Sequence, residues 1–266
     1  MTIPIYQVDA FGSEVFSGNP AAICPLDNPL PESLMQKIAA ENNVAETAFI
    51  VPEDEIFNIR WFTPTVEVAL CGHATLAAAF VYFNLLGFEK PEIHFNSKSG
   101  ILTVKKNNDG RLTLDFPVDI PVAVENPPSE IFSGLHITPV KVYKGKFDYL
   151  VELESESDIA GLKPDMRVIS TIPGRGVVVT AAGDKVDFVS RCFFPQSGID
   201  EDPVTGSAHC MTTAFWSNKT GKSTFSAIQL SARRGWLECE LKGDRVLMSG
   251  RGVLFLKGEI FVPDAE

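Results

Sequence analysis

Hydrophobic and polar residues follow two different periods along the first half of the chain. Residues 31–42 place apolar side chains on one helical face, behind a proline suited to a first turn, and therefore predict a helix. Residues 44–51 and 57–62 have the patterns of strands. Residues 72–86 are apolar nearly all round, which predicts a helix buried inside its own structural unit.

The same order of motifs recurs in the second half. The motif Arg-x-Phe-x-Pro at 60–64 returns at 191–195, and each copy is followed by a glycine and a run of small residues, at Gly72 and Gly206. In both halves a strand, a turn rich in Gly, Asp or Asn, and a returning strand come next, which are hairpin signals. Because the order is kept at a nearly constant offset, we interpret the chain as two diverged copies of one unit.

The repeat also predicts how the chain divides into domains. Four prolines interrupt a strand-like stretch at 115–128, which we interpret as the junction. We assign residues 1–118, together with a C-terminal strand at 258–266, to the first domain and residues 119–257 to the second. In each domain the strands are expected to surround a central helix, and the active site is expected where the two copies meet.

Composition narrows the possible partners. The chain has 23 Lys and Arg against 34 Asp and Glu, a net charge of −11, so no gain from counterion release is expected and a nucleic-acid partner is disfavoured. No apolar stretch is long enough to span a bilayer. Five cysteines without a C-x-x-C pair, and no signal-peptide pattern at residues 1–11, favour free thiols in a reducing compartment, so we expect a cytoplasmic protein.

The two glycine-led helix starts are the strongest candidate binding features. A helix N-terminus offers unpaired N–H groups and the positive end of the helix dipole, so it binds a carboxylate without any charged side chain. Gly72 and Gly206 occupy equivalent positions in the two copies, and together they could hold one small anion. The alternative is that both glycines only allow tight turns into buried helices.

Three further residues are candidates for acid–base chemistry. Glu46 lies among small apolar neighbours, where a carboxylate is either a solvated edge residue or a general base. His73 follows Gly72, where a neutral imidazole could donate a hydrogen bond or relay a proton, and no metal-ligand spacing accompanies it. Asp202 precedes Pro203, which holds it extended; it could point into the site or only complement the helix dipole.

Cys71 precedes Gly72, where the helix dipole would lower a thiol pKa. A symmetric two-base racemase would need a second thiol at the equivalent position of the other copy, and Thr205 stands there. The second copy therefore lacks the thiol that a paired-thiol mechanism needs. A small buried residue is the favoured interpretation of Cys71.

Taken together, these motifs resemble the PhzF-like family, the phenazine biosynthesis-like isomerases that share the diaminopimelate epimerase fold. The resemblance covers essentially the whole chain. It implies an α+β fold of two pseudo-symmetric domains, each a strongly curved mixed β-sheet, or open barrel, around a central helix. The motifs that carry it are Val8-Asp9-Ala10-Phe11, Gly18-Asn19-Pro20, Ala45-Glu46-Thr47-Ala48-Phe49, Phe62-Thr63-Pro64, Cys71-Gly72-His73-Ala74 and Asp202-Pro203-Val204-Thr205-Gly206-Ser207-Ala208.

The resemblance also implies roles for individual residues. In the phenazine enzyme of this family a Glu takes a proton from one carbon and returns it to another, supported by a His and an Asp. By motif match, the catalytic residues here would be Glu46, His73 and Asp202. No cofactor or metal is implied, and a homodimer is suggested. The residues expected to bind substrate are Gly72, Gly206, Ser207, Asn19 and Cys71.

The sequence thus predicts a cofactor-independent isomerase of a small carboxylate-bearing metabolite, with a biosynthetic role. Glu46 would be the general acid/base in a cleft between the domains. Two alternatives stay open. One is a one-thiol dehydratase or epimerase-type enzyme that uses Cys71, and the other is a non-catalytic protein that binds a small molecule.

Overall fold

The structure is a computed structural model that describes residues 1–138 and 141–262. The chain forms two compact units, Met1–Asp115 with Ser249–Glu266, and Phe116–Met248. The last residues of the predicted C-terminal strand, 263–266, lie outside the described residues. Among the helices that are described, none combines the length and the apolar character needed to cross a bilayer.

The elements follow one another in an α+β order. The N-terminal segment contains β1 (Thr2–Ala10), β2 (Asn19–Pro25), α1 (Glu32–Asn42), β3 (Glu46–Glu53), β4 (Ile56–Phe62), β5 (Glu67–Val68), α2 (Gly72–Asn84), β6 (Glu92–Ser97), β7 (Gly100–Lys106) and β8 (Leu112–Pro117). The middle segment contains β9 (Val122–Ala123), α3 (Ser129–Leu135), β10 (Val142–Lys144), β11 (Asp148–Glu152), α4 (Glu156–Gly161), α5 (Met166–Ile169), β12 (Gly176–Ala182), β13 (Phe188–Phe194), β14 (Ile199–Asp202), α6 (Gly206–Thr220), β15 (Thr224–Gln229), β16 (Gly235–Lys242) and β17 (Arg245–Gly250). The last described strand is β18 (Gly252–Phe261), which belongs to the first unit.

The first unit is a mixed sheet that surrounds α2. Its strands lie in the order β18-β1-β2-β3-β4-β6-β7-β8, with parallel pairs β2/β3 and β4/β6, and β5 pairs with the end of β4. The connections between the parallel partners carry α1 and α2, as parallel pairing requires a crossover. Helix α2 packs against β1, β2, β3 and β7, so strands from distant parts of the sheet curve around it.

The sequence of α2 explains its central position. Ten of its 13 residues are buried, and its alanines allow close approach of the strands on every side. Helix α1, in contrast, buries Met35, Ile38 and Ala39 on one face and ends where Asn43 turns into the left-handed region at φ 48°. The predicted helices at 31–42 and 72–86 are thus confirmed to within two residues at each end.

The second unit repeats this pattern of pairing. Strands β10-β11-β12-β13-β15-β16 lie side by side with parallel pairs β11/β12 and β13/β15, β9 flanks β10, and β14 pairs with the end of β13. Helix α6 spans the β13/β15 crossover, as α2 spans that of β4/β6, and it packs against β11 and β16. The pairing order is therefore the same in both units, and the predicted fold class is confirmed.

The start of β3 differs from its prediction in a way that matters for the site. The pattern predicted a strand from residue 44, but β3 begins at Glu46, where its parallel pairing with Ala21 of β2 begins. The left-handed residue Asn43 delays the strand, because the chain must first leave α1. Glu46 therefore opens the strand, whereas the sequence placed it inside one.

Candidate active site

Three elements of the first unit bring together one set of candidate residues, which we call the first half-site. Glu46 is the first residue of β3, Asn19 is the first of β2, Cys71 is the N-cap of α2 and His73 is the second residue of that helix. The parallel β2/β3 pairing sets the starts of both strands side by side. All four side chains are buried, with Glu46 8% and His73 6% exposed.

The imidazole of His73 is the centre of this half-site. Its Nε2 atom lies 3.0 Å from Glu46 Oε2, and its Nδ1 atom lies 3.2 Å from Asn19 Nδ2 and 3.6 Å from Cys71 Sγ. Glu46 Oε2 and His73 Nε2 are close, yet neither has a well-directed hydrogen-bond partner among the described residues. The carboxylate oxygen therefore keeps lone pairs that can accept a proton.

The protonation of His73 follows from its neighbours. Burial alone would lower the pKa of His73, but the Glu46 carboxylate beside it outweighs burial and raises this pKa well above 6.5. The raised pKa favours a protonated ring beside Glu46 at neutral pH, and a protonated ring requires the Asn19 amide to present its oxygen, in place of its nitrogen, to the Nδ1 proton. Such a pair can offer a base and a positive charge to the same substrate.

The same three side chains also lie close enough together to share a ligand, and the absence of a metal stays a prediction from the sequence. One ligand atom from each of Glu46, Cys71 and His73 lies within 4.8 Å of the others. However, Cys71 lies beside Nδ1 and Glu46 beside Nε2, on different sides of the ring.

The N-terminus of α2 completes the half-site. No side chain forms a capping hydrogen bond there, and no acidic residue lies in the first turn. The Thr75 hydroxyl donates to the Cys71 carbonyl at 2.6 Å, which leaves the helix amides unaffected. The start of α2, at Gly72 and His73, therefore keeps N–H groups without a side-chain cap, and carboxylate binding there stays a prediction.

The second unit forms a different half-site at the equivalent helix. Asp202 ends β14, and its Oδ2 accepts a 2.6 Å hydrogen bond from the hydroxyl of Thr205, the N-cap of α6. Gln229 binds both residues: Thr205 N–H donates to Gln229 Oε1 at 2.9 Å, and Gln229 Nε2 donates to the Asp202 carbonyl at 2.6 Å. Asp202 is thus fixed in position, beside the helix start formed by Gly206 and Ser207.

Sequence reasoning missed three residues of this second half-site, Arg175, Asp148 and Gln229. Arg175 forms a bidentate ion pair with Asp148, which is buried, and its Nη2 donates to Ser207 Oγ at 2.8 Å. No motif marks these residues. The only available signal was position: the stretch 173–177 is the counterpart of the one that carries Glu46, and it holds a cation instead of a carboxylate.

Strand register identifies the counterpart of Glu46 as Gly176. Glu46 opens β3 and pairs with β2, and Gly176 opens β12 and pairs with β11 in the same parallel manner. A Cβ atom at Gly176 would lie 2.2 Å from the Phe193 carbonyl oxygen and 2.4 Å from the Phe194 ring. The second unit therefore has no room for a base at this position.

The close packing around Gly176 predicts that a larger residue there destabilises the protein. Gly176→Ala is expected to lower the free energy of unfolding by about 1–3 kcal/mol, because backbone and ring must move to admit the methyl group. Urea unfolding monitored by circular dichroism measures the change. Gly161→Ala is the matched control, since nothing lies within 4 Å of a Cβ there; it should be neutral or stabilise slightly. Equal behaviour of the two variants would contradict the packing at Gly176.

The comparisons with known proteins agree with this fold. Residues 8–258 match the phenazine biosynthesis-like protein family, PhzC-PhzF. An uncharacterised isomerase of Pseudomonas aeruginosa is 48% identical over 98% of this chain and 99% of its own length. A crystal structure of a PhzF-family phenazine biosynthesis protein of Enterococcus faecalis is 46% identical, covers 98% of this chain and 100% of its own, and superimposes with a TM-score of 0.95.

A more distant likeness concerns the fold alone. A hydroxyproline epimerase of Agrobacterium vitis, solved with trans-4-hydroxy-L-proline, covers 97% of this chain and 92% of its own at a TM-score of 0.61, with 9% identity. The fold is thus shared with an enzyme that inverts a carbon centre.

Proposed function

Because the chain belongs to the phenazine biosynthesis-like family and is an isomerase, we propose that it isomerises a small carboxylate-bearing metabolite without a cofactor. Glu46 is the general acid/base. The observation that supports this most directly is the buried contact of 3.0 Å between Glu46 Oε2 and His73 Nε2, with lone pairs left on the carboxylate.

The proposed reaction moves one proton. Glu46 takes a proton from a carbon of the substrate, and the electron pair of that C–H bond shifts into the adjacent unsaturated system. The imidazolium of His73 and the amides at the start of α2 stabilise the negative charge that develops. Glu46 then returns the proton to a different carbon, so that substrate and product are isomers and Glu46 ends as a carboxylate.

The second half-site serves binding in this proposal. Gly206 and Ser207 at the start of α6 hold the substrate carboxylate, and Asp202 orients the substrate through a hydrogen bond. The absence of an acidic residue in the first turn of α6 supports this assignment. Asn19 and Cys71 support the imidazole and line the first half-site.

The experiment is isotope incorporation from solvent. The protein is incubated in D2O for many turnovers with a fraction of acidic metabolites, and mass spectrometry searches for a compound that disappears while its isomer appears. Part of that isomer should be heavier by one mass unit, because the proton on Glu46 exchanges with solvent in some of the turnovers. Wild type should produce such a pair and Glu46→Gln should not. A pair formed equally by both proteins would reject Glu46 as the base, and no pair at all would favour a protein that only binds its ligand.

A thiol mechanism is the second candidate, because Cys71 Sγ lies 3.6 Å from His73 Nδ1. Burial, together with the negative charge of Glu46, raises the pKa of Cys71 to about 11, so the thiol stays protonated at neutral pH. All five cysteines are buried. These properties favour the carboxylate mechanism.

Alkylation tests the state of Cys71. We expect native protein to resist iodoacetamide at neutral pH, and protein unfolded in urea to be alkylated at all five cysteines; intact mass spectrometry counts the adducts. Cys71→Ala should retain turnover, with Cys24→Ala as a control for the loss of a buried thiol. Rapid alkylation of native Cys71 with loss of activity would instead support the one-thiol enzyme.

We also propose a cytoplasmic location, a biosynthetic role and a homodimer. A homodimer would have about twice the chain mass of 29.0 kDa by light scattering.

A further inference from the structure

Arg175 is a partly buried cation that has no role in the reaction proposed above. It lies beside the start of α6, where its Nη2 atom donates to Ser207 Oγ at 2.8 Å. Its side chain is 34% exposed, whereas its ion-pair partner Asp148 is 4% exposed. One edge of the guanidinium is therefore buried against Asp148 while another edge stays accessible.

The local backbone and two aromatic rings hold the Arg175 side chain in this position. The Arg175 amide donates to the Phe147 carbonyl at 3.1 Å. Gly174 adopts a φ of +114°, where a side chain is strained, and Gly176 has no room for a Cβ atom. The guanidinium carbon also lies 4.8 Å from the ring centre of Phe194 and 5.4 Å from that of Phe147, which limits its movement.

The donor inventory shows which atoms remain for a ligand. A guanidinium has five N–H donors in a fixed plane. In Arg175 the Nε and Nη2 atoms bind Asp148 and Ser207, and Nη1 has no hydrogen-bond partner among the described residues. Because Ser207 Oγ already accepts from Arg175, its own hydroxyl proton is free to donate elsewhere. Two donor groups, Arg175 Nη1 and the Ser207 hydroxyl, thus lie next to the start of α6, which has no side-chain cap.

The charges around the guanidinium decide what it can bind. Asp148 balances Arg175 through its buried edge, and the carboxylate of Asp202 also acts on it electrostatically, although Asp202 is held by the Thr205 hydroxyl. A positively charged N–H donor such as Nη1 binds a carboxylate far better than a neutral group.

We propose that Arg175 is a substrate-binding residue: its Nη1 edge and the Ser207 hydroxyl together bind a carboxylate oxygen at the start of α6. This inference rests on the proposed function and deepens it, because it names the cation that selects an acidic substrate. It also explains the divergence of the two copies. The first unit carries an anion, Glu46, to do chemistry, and the second carries a cation one residue before the counterpart position to recognise charge.

The test is a titration of the full chain followed by two-dimensional ¹H–¹⁵N NMR. The probe is succinate, and succinamide is its neutral isostere. Wild type should show saturable shifts of the Gly206 and Ser207 amides with succinate and none with succinamide. The resonances of Gly72 and His73 report carboxylate binding at the other half-site in the same spectra.

Two variants remove the proposed contact. Arg175→Gln combined with Asp148→Asn deletes both charges, so that no buried carboxylate is left unpaired, and Arg175→Lys keeps a charge for Asp148 but loses the planar donor edge. Both should bind succinate at Ser207 about ten- to hundredfold more weakly, the loss usual for a charged hydrogen bond. The matched control, Arg60→Gln with Glu67→Gln, removes an ion pair whose arginine is 33% exposed and should bind as wild type does.

Unchanged affinity at Ser207 in a folded Arg175 variant would overturn the inference, and so would the absence of saturable shifts at Gly206 and Ser207 in wild type. Circular dichroism identifies which variants are folded. The proposed function fails separately: if Glu46→Gln still catalyses isomerisation while the Arg175 variants bind succinate weakly, the role of Arg175 stands and that of Glu46 does not.

Discussion

Replacing Glu46 by Gln is expected to lower the turnover number between about 10²- and 10⁴-fold, the range over which positioned acid–base groups act. Gln has nearly the same shape, so substrate binding and the packing of β3 should change little. An amide cannot accept the proton that a carboxylate takes. The loss should therefore appear in kcat much more than in KM.

A matched control lies on the same strand. Glu53 is the last residue of β3 and is exposed, with its carboxylate bound to Asn58. Glu53→Gln removes the same charge and should leave turnover unchanged. Wild-type turnover in Glu46→Gln, or an equal loss in both variants, would contradict a specific role for Glu46.

The second large effect concerns stability. His73→Leu is expected to lower the free energy of unfolding by about 3–5 kcal/mol, because it leaves the buried carboxylate of Glu46 without its positive partner. Adding Glu46→Gln to His73→Leu removes the unpaired charge and should restore part of the loss. Urea unfolding of wild type, both single variants and the double variant gives the coupling between the two residues.

The contribution of His73 to the free energy of unfolding should fall as the pH rises. The pKa of His73 is raised in the folded state above its ordinary 6.5, so the folded protein binds the proton more tightly than the unfolded chain. The stabilisation from His73 is therefore complete below about pH 6.5 and is lost as the pH rises through the raised pKa. The difference between wild type and His73→Leu should shrink towards alkaline pH.

His209 in the second unit has a lowered pKa, whereas that of His73 is raised. It is the counterpart of Thr75, its Nδ1 lies 2.8 Å from the Thr205 carbonyl oxygen, and burial lowers its pKa to about 4. Its stabilisation should be complete above about pH 6.5 and be lost as the pH falls towards 4. A stability difference for His73→Leu that follows the His209 trend would contradict the imidazolium at His73.

Local patterns were sufficient to predict the helices and the repeat, because their causes are local. An apolar run that begins at a glycine predicts a buried helix, and α2 and α6 both begin at the predicted glycines. The turn at 107–110 was predictable in the same way, since Gly110 supplies the positive φ that the hairpin between β7 and β8 needs.

Contacts between distant segments could not be predicted in this way. The proximity of Asn19 to His73 depends on the parallel pairing of β2 with β3 and on the packing of α2, none of which a local pattern encodes. Arg175 was missed for the same reason, because its partners Asp148 and Ser207 lie 27 and 32 residues away. A charged residue between two glycines has the pattern of an ordinary turn until the register of β12 is known.

The measurement that tests the central claim most directly is the fate of the migrating hydrogen. The isotopic experiment identifies the substrate, which is then prepared with deuterium at the carbon that loses its proton and is converted in H2O for a single turnover. Glu46 is only 8% exposed, so the proton that its carboxyl group carries should exchange slowly while substrate covers it. The account predicts that part of the deuterium reappears at the new carbon of the product. Complete replacement by solvent hydrogen would contradict proton return by a single sheltered carboxylate.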